Sequence, residues 1–387
     1  MKRIYMDYAA TTPMDTRVRE AMEPYWSNKF GNPSSIHSFG QETLEAVENA
    51  RRKVATLINA TPSEIVFTSG GTEANNTAIK STCYALREKG NHIITTAFEH
   101  HAVLHPCEFM KSQGFDVTFI PVGQDGIVDP TDIEKAITQK TILISVMHAN
   151  NEVGTIQPIS EIGAIARKRS IIFHTDAVQT CGHIKIDPEK MNIDLLSLSA
   201  HKFYGPKGVG ALYIRKGIPF LPFMHGGGQE GGRRSSTHNV PGIVGLGKAA
   251  EIAWQEMKTE YERISQLRDR LLDRILQQIE DVHLNGDREK RLPNNINISV
   301  EHVEGEALLM NLDLEGIAVS TGSACSAGSQ EPSHVLKALR LSREFARGSL
   351  RLTLGRFTTE EEVDRVSDVL TSAVKHLRSL SSFKKGK

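Results

Sequence analysis

Cysteine is scarce in this 387-residue chain: Cys83, Cys107, Cys181 and Cys325 stand far apart, with no CxxC pair. That spacing excludes the usual zinc and iron–sulfur ligand sets and offers no disulfide framework, which suits a reducing compartment. An excess of one charge is also missing. Lys plus Arg and Asp plus Glu each number 46, so nothing marks the chain for nucleic acid or an anionic membrane. Only the end, "SSFKKGK", is locally basic, as a short solvated tail would be. No apolar run approaches the ~18 residues of a membrane helix, and the opening "MKRIYMDYAATTP" has no signal-peptide apolar region. A cytoplasmic protein is expected. Its length implies two or three domains.

What is present is an alternation. From residue 65 to about 215, short apolar runs ("EIVFTSG", "HIITTA", "DVTFIPV", "TILISVMH", "SIIFHTDA", "DLLSLSA", "GVGALYIR") read as strands. Amphipathic stretches between them read as helices: "TEANNTAIKSTCYALREKG", closed by Gly90, then "HAVLHPCEFMKSQG", "DPTDIEKAI" and "ISEIGAIARKRS". Nearly continuous apolar strands alternating with helices predict a mostly parallel sheet covered on both faces. In such sheets ligands bind outside the carboxyl ends of the strands. After about residue 255 the pattern changes to a long amphipathic helix, "WQEMKTEYERISQLRDRLLDRILQQIE". Strand "NNINISV", helix "GEALLMNLDL", strand "SLRLTLG" and a last helix opened by a Thr359–Glu362 capping box follow, as in a smaller α+β domain.

Two nucleotide-binding patterns fail on context. "GGGQEG" (226–231) follows no clear strand, and "GIVGLGKA" (242–249) has Ala249 where a P-loop needs Ser or Thr. The second also reads as the start of an amphipathic helix. His101 and His105 share a helical face at a metal-binding spacing, but no carboxylate or third ligand completes the pattern, so no resident metal is expected.

"DLLSLSAHKFYGPKGVGAL" is more specific, because Lys202 directly follows a buried strand, at the sheet edge where ligands bind. A desolvated lysine has a lowered pKa and forms a Schiff base with a carbonyl cofactor. Pyridoxal phosphate would need three more things. "SIIFHTDAVQ" supplies a carboxylate for the pyridine nitrogen in Asp176, and "TSGGTEANN" a helix N-terminus for the phosphate at Gly71 and Thr72. In "SLRLTLGR", Leu350, Leu352 and Leu354 alternate with Arg351 and Thr353, setting an arginine for the substrate carboxylate on the strand's other face.

With these residues in place, the chain resembles the cysteine desulfurases of the NifS/IscS type, class V aminotransferase-family enzymes of pyridoxal-phosphate fold type I (aspartate-aminotransferase-like). The resemblance runs nearly end to end, through "YMDYAATTP", "FGNPSS", "FTSGGTEANN", "HANNEVGTIQPI", "HTDAVQ", "SAHKFYGPKGVGALY", "GGGQEGGRRSST", "STGSACS" and "SLRLTLGRFTTEEEVD". It implies a large cofactor-binding domain over residues 15–255. A small domain of 1–14 and 256–387 would carry a cysteine loop at about 320–333.

Residue by residue, the resemblance makes Lys202 the Schiff-base lysine, Asp176 the partner of the pyridine nitrogen and His100 the histidine over the ring. Asn151 and Gln179 fall beside the ring hydroxyl, and Gly71, Thr72, Ser199 and His201 in the phosphate cradle. Thr237 falls on a threonine that reaches the phosphate of the other subunit, implying a homodimer. Arg351, with Asn151, falls on the substrate carboxylate. Cys325 falls on the nucleophile, which takes sulfur from L-cysteine as a persulfide and leaves alanine; with a scaffold partner it is also a transient cluster ligand. The 26 positions from Cys325 to Arg351 match the subgroup with a long mobile loop. Persulfide sulfur would pass to an acceptor such as an IscU/NifU-type scaffold, for iron–sulfur assembly or tRNA thiolation. Ser236 departs from the pattern, standing where the family usually has glycine, which puts the placement of Thr237 in question. A selenocysteine lyase would not need Cys325 on a long loop. A non-catalytic docking subunit would need neither Lys202 nor Cys325.

Overall fold

The computed structural model describes residues 3–321 and 333–380; Cys325 and its loop, like the basic tail, lie outside the described residues. The short strand β1 (Ile4–Tyr5) is followed by β2 (Ile65–Thr68), β3 (His92–Thr96), β4 (Asp116–Ile120) and β5 (Thr141–Ser145). Then come β6 (Ile172–Asp176), β7 (Leu195–Ser199) and β8 (Gly210–Ile214). β2 to β8 form one seven-stranded sheet in the order β2-β8-β7-β6-β5-β3-β4. The pairs β3–β4, β3–β5, β5–β6 and β6–β7 are parallel, and β8 runs antiparallel to both neighbours. This is the expected mostly parallel sheet.

The apolar runs explain why both faces are covered. Successive side chains on a strand point to opposite faces. Val66, Ile93, Leu143, Ile172, Leu195 and Leu212 pack with Ala74, Ala78, Ile79, Val103 and Met110 of the helices Gly71–Ala85 and His101–Ser112. Their neighbours Phe67, Ile94, Ile144, Phe173, Leu196 and Tyr213 join a second core on the other face, with Val47, Val54, Ile162 and Leu246. The two cores together take up the apolar residues of these strands, and the polar residues between them are buried as well. β4, at the edge, is the exception, with Asp116 and Phe119 exposed.

A third core is built on β9 (Val282–Leu284), β10 (Asn295–Val300), β11 (Ile317–Ala318) and β12 (Ser349–Thr353). β10 pairs antiparallel with β9 and β12, while β11 pairs parallel with β1. Helix Glu360–Leu380 packs on this core through Val363, Val366, Leu370 and Val374. The capping box at its start is present: the Glu362 amide donates to Thr359 Oγ1 at 3.2 Å, and the Thr359 amide to Glu362 Oε2 at 3.3 Å. Among the described residues no helix is long and apolar enough to cross a membrane.

Four features differ from the sequence reading. The helix begun at "TEANN" ends at Ala85, not Gly90; the backbone at Gly90 runs so close to Lys140 that a Cβ would sit 2.3 Å from its carbonyl oxygen. The long helix begins at Val240 and runs 39 residues to Gln278, so it takes in the "GIVGLGKA" stretch. A Cβ on Gly247 would lie 2.6 Å from Ala50 Cα, so close helix packing accounts for that glycine. The boundary drawn at 255/256 falls inside this helix. Helix Ser38–Leu57 leaves little trace in the sequence, because its apolar stripe is thinned by Glu42, Glu45, Arg51 and Lys53. Finally, β12 is buried on both faces: Arg351 and Thr353 are as enclosed as the leucines between them.

Candidate active site

Five strands deliver residues to one edge of the sheet. β2 is parallel to β7 by way of β8, so the carboxyl ends of β2, β3, β5, β6 and β7 all point the same way. Past β2 the chain turns at Gly70 into the helix starting at Gly71; past β3 come Glu99 and His100; past β5 come Asn150 and Asn151. Asp176 and Ser199 end β6 and β7, and a single turn, Ala200–Lys202, places the lysine. These ends enclose a cleft of about 260 Å3 lined by Gly71, Thr72, His100, Asn151, Asp176, Gln179, Ser199, His201, Lys202 and Arg351. The sequence-predicted set is thus brought together, with two exceptions. Cys325 lies outside the described residues, and Thr237 is exposed and does not line this cleft.

Asp176 is buried and held from two sides: Asn75 Nδ2 donates to Oδ2 at 2.6 Å and the Val178 amide to Oδ1 at 2.9 Å. Lys202 Nζ donates to the carbonyls of Ala9, at 2.5 Å, and Ala10, at 2.8 Å. Gln179 Nε2 shares the Ala9 carbonyl, and Thr11 and Thr12 bond to His201. The segment Asp7–Thr12 is therefore a strap across the site. Arg351, 2% exposed, donates to the Asn151 carbonyl and to Asp7 Oδ1, each at 2.7 Å.

His100 is the N-cap of helix His101–Ser112, and its Nδ1 accepts the Ala102 amide at 3.0 Å. An accepting Nδ1 carries no proton, so the neutral ring keeps its hydrogen on Nε2. Burial lowers the pKa of His100, with Asp176 opposing and Lys202 adding to the effect. Burial therefore favours the neutral imidazole, with its N–H at Nε2. His201 is pushed down to about 4 by burial and by Lys202 and Lys207, which keeps it a neutral hydrogen-bonding group.

Several contributors were missed in the sequence. Asn75 is recoverable, since it lies one helical turn after Gly71 and so on the same face. The backbone carbonyls of the strap carry no side-chain signal. Glu99 is fully buried, accepts Thr96 Oγ1 and the Met147 amide, and is pushed up to about 8 by burial. His334 joins the cleft from beyond the cysteine loop, with its Nε2 2.8 Å from the Glu99 carbonyl oxygen and its ring 4.7 Å from that of His101. The rings of His101 and His105 lie 4.8 Å apart, tilted by 30°. Among the described residues no group of three or more His, Cys, Asp or Glu is placed to hold a metal ion.

The residues fit pyridoxal phosphate. A Cβ on Gly71 would fall 2.6 Å from Val178 Cγ2 and 3.5 Å from Ser199 Cβ, so only glycine lets the chain form this cradle. The N-terminus of a 15-residue helix, Thr72, Ser199 and His201 supply anion donors there. A lysine and an oriented, buried carboxylate share the same cleft, as an aldehyde and a ring nitrogen require.

The family model for class V aminotransferases matches residues 4–366, and the chain belongs to the class V aminotransferase family, whose enzymes are pyridoxal-phosphate dependent. Among its curated relatives are cysteine desulfurases named IscS. That of Dictyoglomus turgidum is 57% identical over 385 residues, covering 99% of this chain and 98% of the relative. That of Methanosarcina thermophila is 54% identical over 380 residues, covering 98% and 94%. A solved NifS-like protein superposes with a TM-score of 0.91 at 40% identity, covering 97% of this chain and all of the other. The structure described as SspA in complex with cysteine gives a TM-score of 0.82 at 40% identity, covering 92% and 100%. The resemblance read from the motifs is the family found.

Thr237 sits on a turn pinned from both sides. Arg234 pairs with Glu73 (2.9 Å), and His238 Nε2 lies 2.6 Å from Glu230 Oε1. Glu230 also takes two bonds from Arg51 (2.7 and 2.8 Å) and the Phe67 amide (2.8 Å). Ser236 adopts φ 133°, a region that favours glycine, and its amide donates to Gln229 Oε1. Ser236 is exposed to solvent.

Proposed function

We propose that the chain is a pyridoxal-phosphate-dependent cysteine desulfurase. It converts L-cysteine to L-alanine, holds the sulfur as a persulfide on Cys325 and passes it to an acceptor protein of the IscU/NifU scaffold type. The observation carrying this reading is the convergence of Lys202, Asp176, His100 and Arg351 on one cleft, in a chain more than half identical to cysteine desulfurases. Bound to Lys202, the cofactor supplies an electron sink that weakens the bonds around the substrate's α-carbon. Asp176 would hold the ring nitrogen, and the cradle of Gly71, Thr72, Ser199 and His201 the phosphate. Gln179 and Asn151 would serve the ring hydroxyl. Arg351 holds the substrate carboxylate, and neutral His100 moves a proton at Nε2. The Cys325 thiolate forms a bond to the substrate sulfur as the Cβ–S bond breaks; the bonding pair stays with the carbon fragment, which takes up one proton at Cβ to become alanine.

Thr237, outside its own cleft, completes the phosphate site of a second copy, making the enzyme a homodimer. Three buried free thiols, Cys83, Cys107 and Cys181, suit the reducing cytoplasm. The test is a pair of variants. Cys325→Ser should keep the visible absorbance of the lysine-bound cofactor and lose sulfide release from L-cysteine; Lys202→Ala should lose that absorbance. Normal sulfide release by Cys325→Ser would overturn the persulfide step.

A further inference from the structure

Arg351 is paired in advance. Its Nη2 donates to Asp7 Oδ1 and its Nη1 to the Asn151 carbonyl, both at 2.7 Å, and its Nε is buried without a hydrogen-bond partner. Asp7 is held in place by backbone contacts along β12: it bridges Thr353, the Thr353 amide donates to the Met6 carbonyl at 2.7 Å, and the Ala9 amide donates to Thr353 Oγ1 at 2.9 Å. The other nearby carboxyl, Glu152, accepts Ser333 Oγ at 2.6 Å, and burial pushes it toward its neutral form. Asp7 is thus the carboxylate in direct ion-pair contact with Arg351.

We infer that Asp7 is a positioning residue that aims Arg351 and deliberately weakens its hold on amino-acid carboxylates. This rests on Arg351 being the substrate-carboxylate clamp. Each η nitrogen keeps one hydrogen beyond its present bond, and the Nε–H is unengaged, so the guanidinium is able to take a second carboxylate. That carboxylate would share one cation with Asp7. Two carboxylates on one guanidinium lie about 5 Å apart, and their repulsion at an effective dielectric of about 50, for a cleft partly open to water, loosens the ligand by a factor on the order of ten. The effect falls equally on substrate and product, because L-cysteine and L-alanine present the same carboxylate. Asp7 therefore keeps alanine from lingering after sulfur has left.

The test compares inhibition of the holoenzyme by L-alanine and by L-alaninamide, which keeps the amine and lacks the carboxylate. In Asp7→Asn, whose amide oxygen still accepts from Nη2, the inhibition constant for L-alanine should fall about tenfold. KM for L-cysteine should fall with it, and the constant for L-alaninamide should stay put. An unchanged or weaker L-alanine affinity in Asp7→Asn, or an equal shift for the amide, would overturn the inference. Arg351→Lys separates the underlying reading: its L-alanine affinity should drop at least tenfold, and if it does not, Arg351 is not the clamp.

Discussion

Replacing Glu230 by glutamine probes the most enclosed ion pair in the Thr237 turn. The Glu230 side chain is 1% exposed and that of Arg51 10%. Burial raises the Glu230 pKa, but the bonds from Arg51 and His238 outweigh it and bring the carboxyl from an ordinary 4.5 down to about 2. At about 1.4 kcal/mol per pH unit, that difference is worth about 3 kcal/mol. The lowered carboxyl stabilises the fold fully above pH 4.5 and progressively less as the pH falls toward 2. Glu230→Gln also strands the buried Arg51 guanidinium, and breaking such a pair costs about 3–5 kcal/mol. Urea unfolding at pH 7 should therefore show a loss of about 3 kcal/mol or more. The gap from the parent protein should narrow by about 1 kcal/mol at pH 4 and about 2 kcal/mol at pH 3. Adding Arg51→Met should recover part of the loss at pH 7, since no buried charge is then left alone. A loss below about 1 kcal/mol, or one independent of pH, would refute the reasoning.

Asn75→Ala removes the 2.6 Å bond to Asp176; a hydrogen bond to a charged group is worth about 1.5–3 kcal/mol. Cofactor affinity, read by absorbance on reconstituting the apoprotein, should fall at least tenfold while the fold survives. Glu99→Gln acts with the opposite pH sense to Glu230. A carboxyl raised to about 8 costs stability progressively as pH climbs from 4.5 to 8. The variant should therefore gain on the parent protein between those limits in urea unfolding, and match it near pH 4.5.

The large sheet was legible because its strands are buried on both faces and so spell nearly unbroken apolar runs. The same cause hid the surroundings of Arg351: β12 alternates as an amphipathic strand does, yet a second layer covers the face that carries the arginine. Side chains that touch the cofactor site sit beside Gly, Pro or strand-end signals, which is why Lys202, Asp176 and Gly71 stood out. The groups that hold those side chains do not. Ala9 and Ala10 act through carbonyls that every residue possesses, Asp7 acts across 344 positions, and Glu230 is one more charge in a glycine-rich stretch until Arg51 is placed against it. Helix Ser38–Leu57 is obscured for a related reason, since Arg51 looks solvent-facing in sequence and is buried in the fold.

The helix Val240–Gln278 lodges Ile243, Leu246 and Ala250 in the large core and Ile264, Leu271 and Ile275 in the small one. At 39 residues it is about 58 Å long, a single rod shared by the core beneath Lys202 and the core beneath Arg351. Lys202 and Arg351 also bond to the one segment Asp7–Ala10. The lysine and the arginine are thus registered to each other through two separate pieces of chain.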